Sequence, residues 1–429
     1  MRKTLAFALL LTLLPVPGFA SDTFRISGYY KNFFTVFDSP EPKTPEPTLS
    51  EPVIGAVSNR LRLNLFYKPG HRLSFQAAYN FSPRVQDASL FENQLRPVSV
   101  PPVIAIDPSG YRVADLDSRV YPDENAPVGS FGIFQNLDRA LITLNAGFAD
   151  ISVGRQAIAW GSARMINPTD IIAPFTFEEL DTEERIGVDA IRVQIPVGAM
   201  GEFDTGYIFG KDFAFGKSAF FLRSRLNAVE TDVSILLLGF RGNLLTGFDI
   251  ARAIGGAGFW FEGAYVFTGA FDDDKTQADN YLRASIGLDF SFSGETYGAI
   301  EYHFSQAGAK KPEDYLTHLT QPAYTDGAVY LMGRHYLVPG LTYQFTPLIT
   351  FSGQALFNLS DPSLFLSPQI EYNIAQDIYI SAGAFIGIGK RPLRFPPPNG
   401  GEDDTPTQQF RSEFGGYPNI YFSSFRIYF

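Results

Sequence analysis

Cysteine is absent from the 429 residues. A secreted chain without disulfides must be held by a large core or by a closed ring of backbone hydrogen bonds. Histidine is scarce: His71, His303, His318 and His335 stand at no metal-ligand spacing, and His303 reads as one of a hydrated lumen pair with Glu301. No G-x-S-x-G elbow and no C-x-x-C-H haem site occurs. Charged residues make up only 18%, against about 25% in ordinary soluble domains. No basic tract appears, which excludes nucleic acid as a partner. Long apolar runs are missing too. Stretches such as Ser234–Phe240 are strand-sized, whereas a spanning helix needs about 20 apolar residues.

The N-terminus has a distinct pattern. Arg2 and Lys3 precede an apolar run from Leu5 to Leu14, and Pro15, Pro17, Gly18 and Ala20 follow. This predicts a secretory signal peptide over residues 1–20, export through the Sec pathway and one mature domain over 21–429. No cysteine lies at the cleavage site, so a lipoprotein is excluded. Without Arg2 and Lys3, the 34 basic residues become 32 against 45 acidic ones, a net charge of −13. The chain carries 41 Phe, 21 Tyr and 39 Gly. Such a composition builds a large all-β core or turns aromatic side chains toward lipid.

Period-two segments recur along the chain. Asn59–Tyr67 sets Arg60, Arg62 and Asn64 opposite Leu61, Leu63 and Leu65; Tyr281–Phe290 sets Arg283, Ser285 and Asp289 opposite Leu282, Ile286 and Leu288. A polar face on many strands means that one side of the sheet meets water. About eighteen segments (16–18) of membrane-crossing length are readable. They start near Thr23, Val57, His71, Asp138, Ala149, Val188, Glu202, Ser218, Asp232, Thr246, Gly258, Tyr281, Glu295, Leu331, Leu348, Leu364, Ile378 and Asn419. Links after even-numbered segments are short: 68–71, 147–150, 196–201, 291–295 and 375–377. Many links after odd-numbered ones are long: 37–56, 82–137, 158–187, 269–280, 305–330 and 389–418. Short turns on one rim and long loops on the other are a property of outer-membrane barrels.

The last residues, NIYFSSFRIYF, place Phe425, Ile427 and the terminal Phe429 on one face. This resembles the final-strand assembly signal of Gram-negative outer-membrane β-barrels of porin type. The resemblance implies an all-β transmembrane antiparallel barrel with short periplasmic turns and long extracellular loops, located in the cell outer membrane. It also implies outer-membrane lipid, lipopolysaccharide and the barrel-assembly machinery as partners, with a homotrimer as the assembly such porins commonly form. A secreted sandwich, propeller or solenoid is the competing fold, and no constant repeat supports the last two.

Eighteen strands enclose water, whereas about eight are filled by their own side chains. Read by alternation, the pore wall carries Arg60, Arg62, Arg72, Arg139, Arg192, Arg223, Arg225, Arg283 and Arg426, with Asp204, Asp289, Glu301 and Glu371 as inward acids. An arginine wall concentrates anionic solutes; ordinary lumen lining, paired with loop carboxylates, is the bland alternative. Loop 158–187 occupies the position of the third loop that narrows general porins. It holds Trp160, Gly161, the Asn167–Asp170 turn, and then Glu178, Glu179, Asp181, Glu183 and Glu184. Facing the wall arginines, these acids set a field across a constriction; on the surface, they meet lipopolysaccharide phosphates through divalent cations. The pattern Arg155, Gln156, Trp160, Gly161, Asn167, Pro168 and Asp170 also resembles poorly characterised proteobacterial barrels. FDDDK (271–275) lacks calcium-loop spacing and AIGGAGF (253–259) lacks phosphate-loop spacing. The proline-rich 39–52 reads as an extended surface loop.

The function expected is a channel for passive or weakly selective diffusion of small hydrophilic solutes, anionic ones included, with no cofactor, no metal and no catalysis. The alternative of another class is the sheath of a porin-cytochrome electron conduit, whose partner is a multihaem cytochrome. A barrel enzyme with His beside Ser or Asp, and an adhesin, are further alternatives.

Overall fold

The computed structural model describes residues 23–38, 53–87, 108–123, 126, 128–271, 279–395 and 407–429. The signal peptide, the proline-rich 39–52, most of FDDDK and parts of the long links 82–137 and 389–418 lie outside the described residues.

Eighteen strands close one barrel. They are β1 (Phe24–Asp38), β2 (Val53–Gly70), β3 (Leu73–Gln86), β4 (Phe131–Asn145), β5 (Asp150–Gln156), β6 (Val188–Val197), β7 (Gly201–Ile208), β8 (Ala219–Ala228) and β9 (Thr231–Phe240). The second half comprises β10 (Asn243–Ile254), β11 (Ala257–Phe267), β12 (Tyr281–Ser291), β13 (Thr296–Ser305), β14 (His335–Thr346) and β15 (Ile349–Asn358). It ends with β16 (Ser363–Leu366 continuing as Gln369–Ala375), β17 (Ile378–Ile388) and β18 (Asn419–Tyr428). Each pairs antiparallel with the next, and β1 meets β18 from Tyr29 opposite Tyr428 to Asp38 opposite Asn419. Closure pairs the ladder groups that an open edge would leave bare, which hydrocarbon does not tolerate. The C-terminal residue completes the seam: Phe429 and Gly28 exchange backbone hydrogen bonds of 2.7 and 3.0 Å.

Alternation locates most strands to within a residue or two. The larger displacements are β2, β4 and β14. β4 begins at Phe131 rather than near Asp138, because β2, β3 and β4 rise into a long-loop rim where no lipid demands an apolar face. A short strand, Arg119–Tyr121, pairs there with β4. β4 also holds a bulge: Ala78 faces Arg139 while Tyr79 faces Leu137. Asp138 is therefore the extra residue. Pro368 has no amide to donate, and it marks the break in β16.

The outer face is apolar. Leu65, Ile142, Ile191, Ile235, Ile286 and Ile370 are all exposed. Phe148, Phe292 and Phe345 ring the short-turn rim, and Phe213, Phe215 and Phe271 sit near the other. An apolar band between aromatic girdles is a surface for a bilayer. The links sort by rim: residues 71–72, 146–149, 198–200, 229–230, 255–256, 292–295, 347–348 and 376–377 make the short turns. The opposite rim carries the long links, although 241–242 and 359–362 are brief there too.

Ile286, 43% exposed at the centre of β12, tests the lipid face. Ile286→Arg should cost about 2–4 kcal/mol in urea-dependent folding into lipid vesicles. A neutral substitution would contradict the assigned face.

Candidate functional site

Between β5 and β6 the chain leaves the wall, and residues 157–187 cross the lumen. Ile158 is fully buried, and Trp160 packs at 4.7 Å on Phe221 of β8. At Gly161 the backbone has φ +110, and a Cβ there would stand 2.6–2.7 Å from the Glu262 carboxylate. Only glycine allows both the angle and the approach. The next backbone amides then converge on two carboxylates of the far wall. Glu262 of β11 accepts from the amides of Ser162 (2.9 Å), Ala163 (2.8 Å) and Thr169 (2.8 Å), and from the Thr169 hydroxyl (2.7 Å) and the Asn167 side chain (3.3 Å). Glu301 of β13 accepts from the amides of Arg164 (2.9 Å), Met165 (3.3 Å) and Ile166 (2.8 Å), and from the Trp260 indole (2.8 Å). Both carboxylates are fully buried. Without such bonds their burial would be costly; here their oxygens satisfy backbone donors, of which those of Ala163, Ile166 and Thr169 are buried.

The return leg carries the loop to the opposite side. Asp170 is buried and bonded to Arg185; burial lifts its carboxyl to about 6 against the pull of that guanidinium. Phe177 inserts among Phe365, Phe414 and Tyr417 at 4.8–5.7 Å. Asp181 then meets Lys31 of β1 at 2.9 Å and Arg60 of β2 at 2.8 Å. Glu183 pairs with Lys31 and accepts from the Tyr428 hydroxyl at 2.8 Å. Glu184 lies 3.4 Å from Arg62 and 3.5 Å from Arg139.

The expected pore-wall residues fall into several settings. Arg60, Arg62 and Arg139 reach the loop acids, and Arg62 and Arg139 also hold Asp138 at 2.7 and 2.6 Å. Arg192 grips Asp204 on the next strand with two bonds of 2.8 and 2.7 Å. Arg223 donates to Ser234 at 2.9 Å, and the buried Arg283 reaches the Gly327 carbonyl at 3.5 Å. Arg426 pairs with Glu371. Arg225 is exposed and has no side-chain partner among the described residues. Arg72 is not on the wall: it sits exposed in the turn between β2 and β3, because the strand starts two residues later than His71. Among the described residues, Glu178 and Glu179 meet no cation closely enough to pair, and one Glu178 oxygen is buried without a partner. Burial pushes Glu178 up to about 8 and raises Glu179 as well.

The motif Arg155–Asp170 turns out to be loop architecture. Arg155 bonds Asp189, Asp115 and the Ala114 carbonyl, which ties the segment around residue 115 to the wall. The anchors Glu262, Lys31 and Asp138 are absent from the expected set. Glu262 had a signal: it is the one carboxylate in the otherwise apolar FWFEGAYVF, in phase with Trp260. Asp138 had none, since a bulge breaks the alternation.

His303 and Glu301 are not a hydrated pair. His303 Nδ1 lies 2.8 Å from the Ser285 hydroxyl, and that hydroxyl donates to the Ile166 carbonyl at 2.6 Å. With its proton committed to Ile166, Ser285 receives a hydrogen bond from His303 rather than losing a proton to it. Both side chains are buried beneath the loop. This is another loop clamp. Among the described residues no three His, Asp or Glu side chains are placed to share a metal ion.

A cavity of about 580 Å³ lies between the loop and the wall of β15–β18. Arg164, Phe175, Glu179 and Arg185 border it from the loop; Ser352, Gln354, Gln369 and Phe385 border it from the wall.

No family model and no curated protein matches the sequence. Solved structures do. Acinetobacter baumannii OccAB2 aligns with TM-score 0.55 at 9% identity over 95% of this chain and 98% of that one. Pseudomonas aeruginosa OccK5 (OpdH) aligns with TM-score 0.53 at 9% identity over 95% and 99%. The outer membrane protein OprD from Pseudomonas aeruginosa aligns with TM-score 0.53 at 8% identity over 96% and 95%. The likeness is of fold: a closed eighteen-stranded antiparallel barrel of the outer-membrane porin type.

Two outcomes follow for the loop. Glu262→Leu and Glu301→Leu each strip buried amides of their acceptor, at about 1–3 kcal/mol per group. Limited proteolysis of the folded barrel should then cut within 157–187 at least tenfold faster; an unchanged rate would show that the clamp does not hold the loop. Glu178 binds its proton more tightly in the fold than in the unfolded chain. The folded state therefore holds more protons between about 4.5 and about 8, and stability falls as pH rises through that window. Glu178→Gln should flatten that fall in urea midpoints measured across pH; an identical slope would contradict the assignment.

Proposed function

We propose that the chain is an outer-membrane channel for passive, weakly selective diffusion of small hydrophilic solutes, with loop 157–187 as its constriction. The observation that carries this reading is the loop itself. An eighteen-stranded barrel encloses a wide aqueous lumen, and here a segment bonded to both sides of the wall divides it. The apolar band and aromatic rims support residence in a bilayer with lipid and lipopolysaccharide as neighbours. The fold shared with OprD and the Occ structures supports the same location.

Selectivity by charge is slight in this reading. An unpaired arginine wall would concentrate anions strongly. The arginines of β2 and β4 instead spend their charge on Asp138, Asp181 and Glu184. Anions are admitted without being strongly preferred. The loop also weighs against the sheath reading, since a multihaem partner needs the volume that residues 157–187 occupy. The committed Ser285 proton weighs against hydrolysis.

Single-channel recording in planar bilayers tests the proposal. Deleting Ala163–Glu184 should raise conductance at least twofold, and reversal potentials of the intact protein should give an anion-to-cation ratio within about threefold of unity. Unchanged conductance would remove the constriction role, and strong selectivity of either sign would show that pairing Arg60, Arg62 and Arg139 with acids does not set the pore's charge preference.

A further inference from the structure

The lumen has two chemically different sides. On β1, β2, β4 and β6–β10 the inward residues include Lys31, Arg62, Asp138, Arg192, Asp204 and Asp249, and the loop acids dock on the first three of these strands. On the other side, the residues of β15 and β16 that border the cavity are uncharged, and Glu371, one inward step along β16 from Gln369, is paired with Arg426. Thr342 faces Ser352 across β14 and β15, and Ser352 faces Gln369 across β15 and β16. The cavity lies against this side.

The side chains of Ser352, Gln354 and Gln369 make no hydrogen bond among the described residues. They present donors and acceptors that no described residue uses. Gly340 faces Gln354 and keeps the wall low there, since a Cβ would stand 3.0 Å from Met165 of the loop. Phe385 and Phe422 supply aromatic surface at one end. The charges that border the cavity are largely answered within the protein: Arg164 by Asp289 at 2.7 Å, and Arg185 by Asp170. A charged solute would give up hydration and gain no unpaired counter-charge except Glu179. A solute with hydroxyls on its rim and an apolar ring face would find amides, hydroxyls and aromatic carbons.

We propose that this cavity is a binding site for an uncharged, hydroxyl-rich ring solute of the size of a mono- or disaccharide, held by Gln354 and Gln369 during passage. The site rests on the channel reading above and names the solute class within it. About 580 Å³ falls inside the range of about 300–1,000 Å³ that small-molecule sites occupy.

The test uses the full mature protein in planar bilayers with three probes of one shape: glucose, glucuronate and glucosamine. Glucose should reduce the open-channel current saturably, at a half-blocking concentration at least threefold below that of either charged probe. The double variant Gln354→Leu/Gln369→Leu should weaken the glucose block about tenfold while single-channel conductance stays within a factor of two. Stronger block by glucuronate or glucosamine, or equal block by all three, overturns the uncharged-solute assignment and leaves the channel intact. Absence of conductance under every condition overturns the channel reading itself. If the double variant does not fold, swelling rates of vesicles holding the wild-type protein decide: glucose fastest supports the site, and either charged probe fastest overturns it.

Discussion

Two buried carboxylates meeting a run of backbone amides hold this molecule's interior in place. A strand-built cylinder satisfies its own wall, but a loop packed through its middle buries peptide groups that then need partners. Glu262 and Glu301 solve that for the stretch from Ser162 to Thr169. The arrangement resembles an anion-binding nest in which the protein provides its own anion. Each partner would be costly without the other, because a buried carboxylate needs donors and buried amides need an acceptor.

From that fixed point the rest of the lumen follows. Trp160 and Gly161 bring the backbone against Glu262, and the return leg then has a defined reach to Lys31, Arg60, Arg62 and Arg139. Because acids of the loop meet bases of the wall, most of the charge in that half is spent on position rather than on solute. The cavity bordered by Ser352, Gln354 and Gln369 lies against the other side. Glu413, accepting from Met332 and Tyr336, and Asp361, accepting from Tyr315, tie the long loops together above β13–β17.

The fold was legible because lipid and water impose a period of two on every crossing strand. Where that pressure stops, legibility stops: β4 above Arg139, the start of β14 and the turn holding Arg72 depart from the positions that alternation predicts. The loop's acids and the arginines they meet were legible as types, since a carboxylate cluster between strands with inward cations suggests pairing. The anchors were not. Glu262 sits in an aromatic strand whose partner lies almost a hundred residues earlier, and backbone amides have no sequence signature. Asp138 faces the lumen only because of a bulge. Arg155, Trp160 and Asp170 form a pattern visible in the sequence, but their roles depend on Asp189, Phe221 and Arg185, which only the folded chain brings near.

Amide hydrogen exchange of the intact barrel in lipid or detergent addresses the central claim most directly. If the carboxylates of Glu262 and Glu301 hold the loop across the lumen, the amides of Ser162 to Ile166 and of Thr169 exchange as slowly as those of the surrounding strands β11 and β13. Exchange at the rate of an open, solvated loop would contradict the account.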